Sequence, residues 1–292
     1  MNDKMINKAS NHQKKNSDIL LIVSDVDGTL IHSNGQFSTA TIQAIHKIRE
    51  KGIYFSLGTG RNNNMIRLIA KALDNDLYSI TNNGALVMDH RTGKVIYNHT
   101  LSENQSKGIL GEIEKRDWKY ICYSKRCMYY SGYVHLIDEK LAQVVGDPSN
   151  LSNLSDFTYK EVKSYHEIEE INQLYKIGIL NIKKDDFEEI QKIASSFGAE
   201  LKNSGKNFYA IFPKDVSKEV GLQKLQEYLH VSPWNTAVIG DYDNDLPLFS
   251  RAAHRIAMGN ASAAVLAAST QQTLSNDLDG VAHYLESVLS QL

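Results

Sequence analysis

The stretch Ile19-Leu-Leu-Ile-Val-Ser-Asp25-Val-Asp27-Gly-Thr-Leu30 decides how the rest of the chain is read. Its first five residues form an unbroken apolar run, the pattern of a strand covered on both faces as in a parallel sheet. The run leads into two carboxylates separated by one residue, and in open α/β sheets ligands bind at the carboxyl ends of the strands. Their spacing suggests a chemistry. One carboxylate can attack phosphorus and bind a metal, while the other protonates the leaving oxygen and later activates water. The same residues also suit an ordinary Asp-Gly turn after a strand, so the surroundings must decide.

Downstream, Ser38 is a good N-cap, Ile42, Ile45 and Ile48 recur at helical spacing, and Lys51-Gly52 supplies a basic last turn and a stop. A strand over Ile53 to Leu57, a loop at Gly58-Thr59-Gly60-Arg61, a helix over Met65 to Ala72 and a strand over Tyr78 to Thr81 follow with short connections. The alternation returns late, with strands expected over Phe208 to Phe212, Ala237 to Gly240 and Arg255 to Met258 and helices over Ser217 to Leu229 and Asp245 to Ala252. Between the halves lie short Tyr-rich strands at Val95 to Tyr97, Tyr120 to Tyr123 and Met128 to Tyr130, with helices near Ile109 to Lys115 and Asp186 to Phe197. These predict an inserted α+β domain. The expected organisation is a disordered tail over 1–17, an α/β core with a doubly wound, mostly parallel sheet over 18–85 and 206–292, and the insertion over 86–205. Gly146 to Asp156, rich in Ser, Asn and Asp, reads as a loop.

With 292 residues, 42 % hydrophobic and 23 % charged, the chain has the makeup of an ordinary globular protein with a sizeable core. A net charge of −2 gives no broad attraction to the nucleic-acid backbone and points to a small ligand instead. Cys122 and Cys127 have no histidines at zinc-finger spacing, which fits a reducing cytosol. The first 17 residues hold no secretory apolar region, and no run approaches the roughly 20 apolar residues that span a bilayer. A cytoplasmic protein with no membrane partner is expected.

Gly240-Asp241-Tyr242-Asp243-Asn244-Asp245 also follows a predicted buried strand, and its hard oxygen ligands suit Mg²⁺. An EF-hand fails here, because Leu246 stands at the required glycine and Ala252 at the bidentate glutamate. Gly58-Thr59-Gly60-Arg61 lies between a strand and a helix, where backbone N–H groups and a hydroxyl can bind phosphate oxygens. It is not a dinucleotide fingerprint, since Asn63 occupies the third glycine position. No Walker A spacing exists around Gly198 and Gly205-Lys206 either. Lys218 opens a predicted helix and, taken alone, reads as a solvated surface lysine.

In order and setting, these four segments resemble the motifs of the haloacid dehalogenase (HAD) superfamily of phosphotransferases, specifically its Cof-type sugar-phosphatase branch with an inserted type-2B cap. Ile19 to Leu30 looks like the first motif, Thr59-Gly60-Arg61 the second, Val216-Ser217-Lys218 the third and Gly240 to Asp245 the fourth. Asn82-Asn83-Gly84-Ala85, Ala257-Met258-Gly259-Asn260-Ala261, and Ser275-Asn276-Asp277 through Gly280-Val281-Ala282 resemble further strings of that branch. The resemblance implies Asp25 as nucleophile, Asp27 as general acid and base, and Mg²⁺ held by the Asp25 carboxylate, the Asp27 carbonyl and Asp241, with Asp245 orienting its waters. It also implies that Thr59 and the Gly60 N–H hold the transferred phosphoryl group, that Lys218 neutralises its charge, and that Asn244 bonds one of its oxygens. Arg61 and Asn83 join the substrate-binding positions. Glu219 stands where the branch commonly has glycine, within local reach of Lys218, and Gly221 where alanine is usual.

The expected activity is Mg-dependent hydrolysis of a small phosphorylated metabolite, a sugar or cofactor phosphate, through an aspartyl-phosphate, by a phosphoric monoester hydrolase. A phosphomutase and a non-catalytic sugar-phosphate sensor are the alternatives. Tyr120 to Tyr130, with Lys125 and Arg126, either faces the substrate from the cap or forms a solvent-facing edge hairpin.

Overall fold

The computed structural model describes residues 18–36, 38–132, 158–180, 186–203 and 209–292; the tail over 1–17 and the loop over Gly146 to Asp156 lie outside them. The opening apolar run forms β1 (Leu21–Ser24), buried along its whole length. From it the chain makes α1 (Thr39–Glu50), β2 (Tyr54–Gly58), α2 (Asn63–Ala72), β3 (Tyr78–Thr81), β4 (Leu86–Asp89) and β5 (Lys94–Asn98). A second group follows: α3 (Glu103–Glu114), β6 (Lys119–Tyr123), β7 (Cys127–Tyr130), β8 (Thr158–Glu161), β9 (Lys176–Leu180), α4 (Phe187–Ser196), β10 (Ala199–Asn203) and β11 (Tyr209–Pro213). The chain returns through α5 (Lys218–Leu229), β12 (Thr236–Gly240), α6 (Leu246–Phe249), β13 (His254–Ala257), α7 (Ala263–Ala268), β14 (Gln271–Gln272) and α8 (Gly280–Leu289).

The first sheet has the order β14-β13-β12-β1-β2-β3-β4-β5. It is parallel from β14 to β3, and β4 and β5 are added antiparallel. Helices cover both faces. On one side Ile45 and Ile48 of α1 and Val281, Leu285 and Val288 of α8 pack on Ile22, Phe55 and Leu57. On the other, Leu222 and Leu225 of α5, Leu248 of α6 and Val265 of α7 pack on Leu21, Val23 and Val238. Consecutive residues of β1 thus feed opposite cores, which is why the run carries no polar interruption. The chain leaves β1 toward β2 and β3 and later lays β12 to β14 on the opposite side. Strand order therefore reverses between β1 and β12, and Asp25 and Asp241 follow the carboxyl ends of those two strands. The doubly wound, mostly parallel α/β sheet expected from the alternating segments is present.

The second sheet has the order β10-β11-β9-β6-β7-β8. Helices α3 and α4 cover one face, with Ile109, Ile113 and Ile190 against Tyr120, Cys122 and Ile177. The other face presents Ile121, Tyr123, Met128 and Phe212 to Ala85, Leu86 and Met88 beside the first sheet.

Several sequence expectations are corrected by the pairing. The strand expected at Val95 to Tyr97 inside the insertion is β5, and with β4 it extends the first sheet beyond residue 85. The turn between β4 and β5 is too short for a crossover, so both strands stay antiparallel on the same edge. Conversely β11, expected over Phe208 to Phe212 as a core strand, pairs with β9 and β10 in the second sheet; Phe208 itself lies outside the described residues. A short apolar strand carries no mark of the sheet it joins. The β6–β7 hairpin is not a sheet edge, because β9 and β8 flank it. The helix expected over Asp245 to Ala252 is only α6, since a 3₁₀ turn takes up Asp243–Asp245.

The first sheet and α5 meet through two glycines. Gly84 has φ +101, and a Cβ there would lie 1.9 Å from the Ser217 carbonyl oxygen at the start of α5. A Cβ on Gly221 would lie 2.4 Å from Ile80 Cγ2 and 3.0 Å from Gly84 Cα, so the alanine usual at this position would not fit this approach. Gly84→Ala is expected to cost about 2–4 kcal/mol, combining a left-handed backbone with a backbone clash, and urea denaturation measures it.

Candidate active site

The end of β1 is fixed by an N–H of Asp25 that donates to the Ile239 carbonyl of β12 at 2.9 Å, which sets the buried Asp25 carboxylate above the sheet. Ser217 caps α5 by accepting from the Val220 N–H at 3.1 Å, and the next residue, Lys218, is buried. Its Nζ donates to Asp25 Oδ1 and to Asp245 Oδ1, each at 2.7 Å. Glu219 is exposed, so the lysine turns inward and away from its neighbour. The second Asp245 oxygen accepts from the Asp241 N–H at 3.1 Å and the Tyr242 N–H at 3.4 Å, closing the acidic turn after β12. Thr29 Oγ1 donates to Asp241 Oδ1 at 2.9 Å, tying that turn back to the loop after β1. Gly28 has φ +76, and a Cβ on it would sit 2.5 Å from Asp241 Oδ2. Both facts account for glycine after Asp27.

One oxygen each from Asp25, Asp241 and Asp245 lies within 4.8 Å of the others. Burial, and then the Asp245 charge, push the Asp25 carboxyl well above its ordinary range even though Lys218 opposes the shift. Burial, with Asp245 adding to it, pushes Asp241 up to about 6. For Lys218 burial acts downward, but the Asp245 and Asp25 carboxylates outweigh it and hold the ammonium protonated. Three carboxylates share one ammonium, and this surplus of negative charge together with an all-oxygen donor set fits a hard divalent cation.

The second group surrounds the loop after β2. The Thr59 N–H donates to Ile80 O at 2.8 Å, and the Arg61 N–H donates to Thr59 Oγ1 at 3.1 Å. The Arg61 guanidinium forks the Asp27 carboxylate, with Nε 2.8 Å from Oδ2 and the terminal nitrogen on Oδ1. Asp27 is exposed at the mouth of the site, in contrast to Asp25. Asn83, left-handed at φ 56, donates its N–H to Thr59 O at 3.1 Å and turns its side-chain oxygen toward Gly60. The structure thus brings together Asp25, Asp241, Asp245 and Lys218, sets Asp27 and Arg61 at their mouth, and puts Thr59, Gly60 and Asn83 in one loop cluster. Asn244 is exposed on the turn and is not drawn into the buried group.

Three supporting residues have no role in the sequence reading. Asn260 Nδ2 donates to Gly28 O at 2.8 Å, and Asn276 Nδ2 donates to Ile31 O at 3.0 Å. Both belong to the strings quoted above, which therefore brace the loop after β1. The third, Lys176, is a buried lysine whose only sequence signal is its place inside the otherwise apolar Leu174-Tyr-Lys-Ile-Gly-Ile-Leu180.

The chain belongs to the haloacid dehalogenase-like hydrolase family, which matches residues 22–285. It is similar to the phosphatase YwpJ of Bacillus subtilis, 26 % identical over 284 residues, covering 92 % of this chain and 99 % of that one. It is also similar to the 5-amino-6-(5-phospho-D-ribitylamino)uracil phosphatase YwtE of Bacillus subtilis, 26 % identical over 289 residues, with 92 % and 98 % covered. The expected class of enzyme is borne out by these relatives. Among solved structures, a haloacid dehalogenase-like hydrolase from Bacteroides thetaiotaomicron has the same fold, with TM-score 0.80, 23 % identity and 92 % and 99 % covered. A HAD subclass IIB sugar phosphatase shares it too, with TM-score 0.75, 21 % identity and 93 % and 99 % covered. Among the described residues no helix is long and apolar enough to cross a membrane.

Removing the buried ammonium leaves two facing carboxylates without their counter-charge. Lys218→Met is therefore expected to lose about 3–5 kcal/mol of stability at neutral pH without divalent cations. The loss should shrink on acidification, because protonating either carboxylate relieves the repulsion. Urea midpoints of the native and variant chains at about pH 7 and about pH 5 measure both effects.

Proposed function

We propose that the protein is a magnesium-dependent phosphatase that hydrolyses a small phosphorylated metabolite, a sugar or cofactor phosphate, through a phosphoaspartate on Asp25. The observation that carries the reading is the buried Asp25 carboxylate bonded to Lys218 and set among Asp241 and Asp245. Phosphoryl transfer needs in-line positioning and cationic stabilisation of spread charge, and such a cluster supplies both.

The carboxylates of Asp25 and Asp241 and the main-chain carbonyl of Asp27 would hold Mg²⁺, with Asp245 orienting its waters, and the ion would offset the repulsion between the attacking carboxylate and the phosphoryl oxygens. The Thr59 hydroxyl and the Gly60 N–H hold the phosphoryl group, Lys218 balances its charge, and Asn244 bonds an oxygen from the turn. Arg61 orients Asp27, and Asn83 supports the loop beside Gly60. An Asp25 oxygen attacks phosphorus, the bond to the ester oxygen breaks, and Asp27 gives its proton to that leaving oxygen. Water then attacks the phosphoaspartate and passes its proton to the Asp27 carboxylate. The Asp25–phosphorus bond breaks, releasing inorganic phosphate and restoring both aspartates. A cytoplasmic setting fits the two free, buried cysteines.

Phosphate release from a panel of sugar and cofactor phosphates, including the ribitylaminouracil phosphate that names YwtE, tests the reading. Release should require Mg²⁺, stop with EDTA, and fall at least about a thousandfold in Asp25→Asn. Asp27→Asn should lose about 10²–10⁴-fold. A folded native chain that releases no phosphate from any ester in the presence of Mg²⁺ overturns the assignment.

Asp241, pushed up to about 6, must lose its proton before it can bind a cation. The rise in melting temperature on adding Mg²⁺ should be full at about pH 7.5 and largely gone at about pH 5, where proton and metal compete. Scanning fluorimetry with and without Mg²⁺ at both pH values checks it.

A further inference from the structure

The inner face of the second sheet carries one cross-strand row above the Thr59-Gly60-Arg61 loop. Tyr159 of β8 pairs with Met128 of β7, Met128 with Tyr123 of β6, and Tyr123 with Lys176 of β9. Residues opposite one another in adjacent strands share a face, so these side chains form one line. The line meets the core at two points. Asn62 Nδ2 approaches Met128 Sδ at 3.0 Å, and Lys176 Nζ donates to the Gly60 carbonyl at 3.1 Å. The Lys176 ammonium also lies 4.5 Å from the centre of the Tyr123 ring and 5.8 Å from that of Phe212. A buried ammonium is costly unless bonded, and the faces of neighbouring aromatic rings attract it.

The carbonyl that Lys176 holds belongs to the Gly60–Arg61 peptide. The N–H of that same peptide donates to Thr59 Oγ1 at 3.1 Å. The peptide plane is thus gripped at both ends, by a lysine from the second sheet and by the threonine expected to hold the phosphoryl group. With one of its two lone pairs turned to the Arg61 N–H, the Thr59 hydroxyl is held in orientation and still has its proton to donate, which is the role a phosphoryl oxygen requires. An ammonium on the carbonyl also polarises the peptide and strengthens its N–H as a donor. The same peptide leads into Arg61, whose guanidinium holds Asp27.

We propose, resting on the phosphatase reading, that Lys176 is a positioning residue: docked from the inserted domain onto the Gly60 carbonyl, it completes the phosphoryl-holding loop by orienting the Thr59 hydroxyl. The lysine acts on the loop and not on the leaving group, so its effect is independent of what the phosphate is attached to.

The test compares native, Lys176→Met and Lys176→Gln chains with Mg²⁺ on two phosphomonoesters with unlike leaving groups, together with inhibition by inorganic phosphate and thermal melting. Lys176→Met should lose about ten- to a hundredfold in kcat/KM, equally for both esters, as expected for a hydrogen bond to a charged group. Inorganic phosphate should inhibit it more weakly by a similar factor, a change that a purely structural lysine would not produce. In a Thr59→Val background the same substitution should cost no more than about twofold, because the hydroxyl it orients is gone. The inference is overturned by a folded Lys176→Met with native kinetics, by a loss confined to one leaving group, or by an undiminished loss in Thr59→Val. Where Lys176→Met does not fold, Lys176→Gln carries the comparison: a smaller, equally uniform loss supports the inference, and native kinetics overturn it. A native chain that turns over no ester of the whole panel sinks the phosphatase reading instead. The binding of inorganic phosphate to native and Lys176→Gln chains then still decides the lysine's part, with equal affinities counting against it.

Discussion

The ammonium of Lys218, set 2.7 Å from both Asp25 and Asp245, is the contact on which the rest of the molecule depends. The lysine and its two partners come from the start of α5, the end of β1 and the turn after β12, and the whole second sheet lies in sequence between β1 and the other two. Charges this deeply buried are tolerated only as a bonded set, so each of the three elements must arrive within a few tenths of an ångström of its place. The architecture supplies that accuracy through backbone contacts. β1 and β12 pair in register, while α5 is brought against the turn after β3 by the close approach of Gly84 and Gly221. A chain that inserts a whole second sheet between β5 and α5 can do so because these contacts, not the covalent path, fix where α5 begins.

The charge pattern of the cluster has its own logic. Three carboxylates and one ammonium leave the site net negative, and the protein absorbs this by raising Asp25 and Asp241 out of the ordinary carboxylate range. Such a site is poised between protons and a cation. In the proposed reaction an anion enters only if positive charge is added or carboxylate charge removed, which would tie substrate binding to cation binding more tightly than in a neutral pocket. Lys218 alone cannot serve both as counter-charge to two buried carboxylates and as the sole attraction for a phosphate.

Much of this was legible in the sequence, and the reason is physical. Each chemical group lies within a residue or two of a strand end or helix start, so local signals place it: the apolar run before Asp25, the strand before Asp241, the Ser217 cap before Lys218. What escaped was non-local. β5 and β11 look like any short apolar strand, and only pairing energy decides that the first extends one sheet and the second lies in the other. Likewise Asn260 and Asn276 could be recognised as recurrent strings, but not as braces of the Gly28 to Ile31 loop, because nothing near them in sequence mentions that loop. Lys176 is the extreme case, a residue whose meaning is given by cross-strand register and by a carbonyl more than a hundred residues away.

Two aspartates one residue apart end in unlike surroundings, and strand geometry is the cause. Asp25 continues β1, is held by a β12 carbonyl and stays buried beside a lysine; Asp27 has left the sheet and stands exposed in the grip of Arg61. A group that must form a bond at a fixed point gains from immobility, whereas one that must carry a proton first to a leaving oxygen and then from a water gains from access and from a partner it can release. Exchanging the two environments would leave the attacking group loose and the proton carrier sealed. The order of roles proposed for Asp25 and Asp27 thus follows from which of them the sheet still holds.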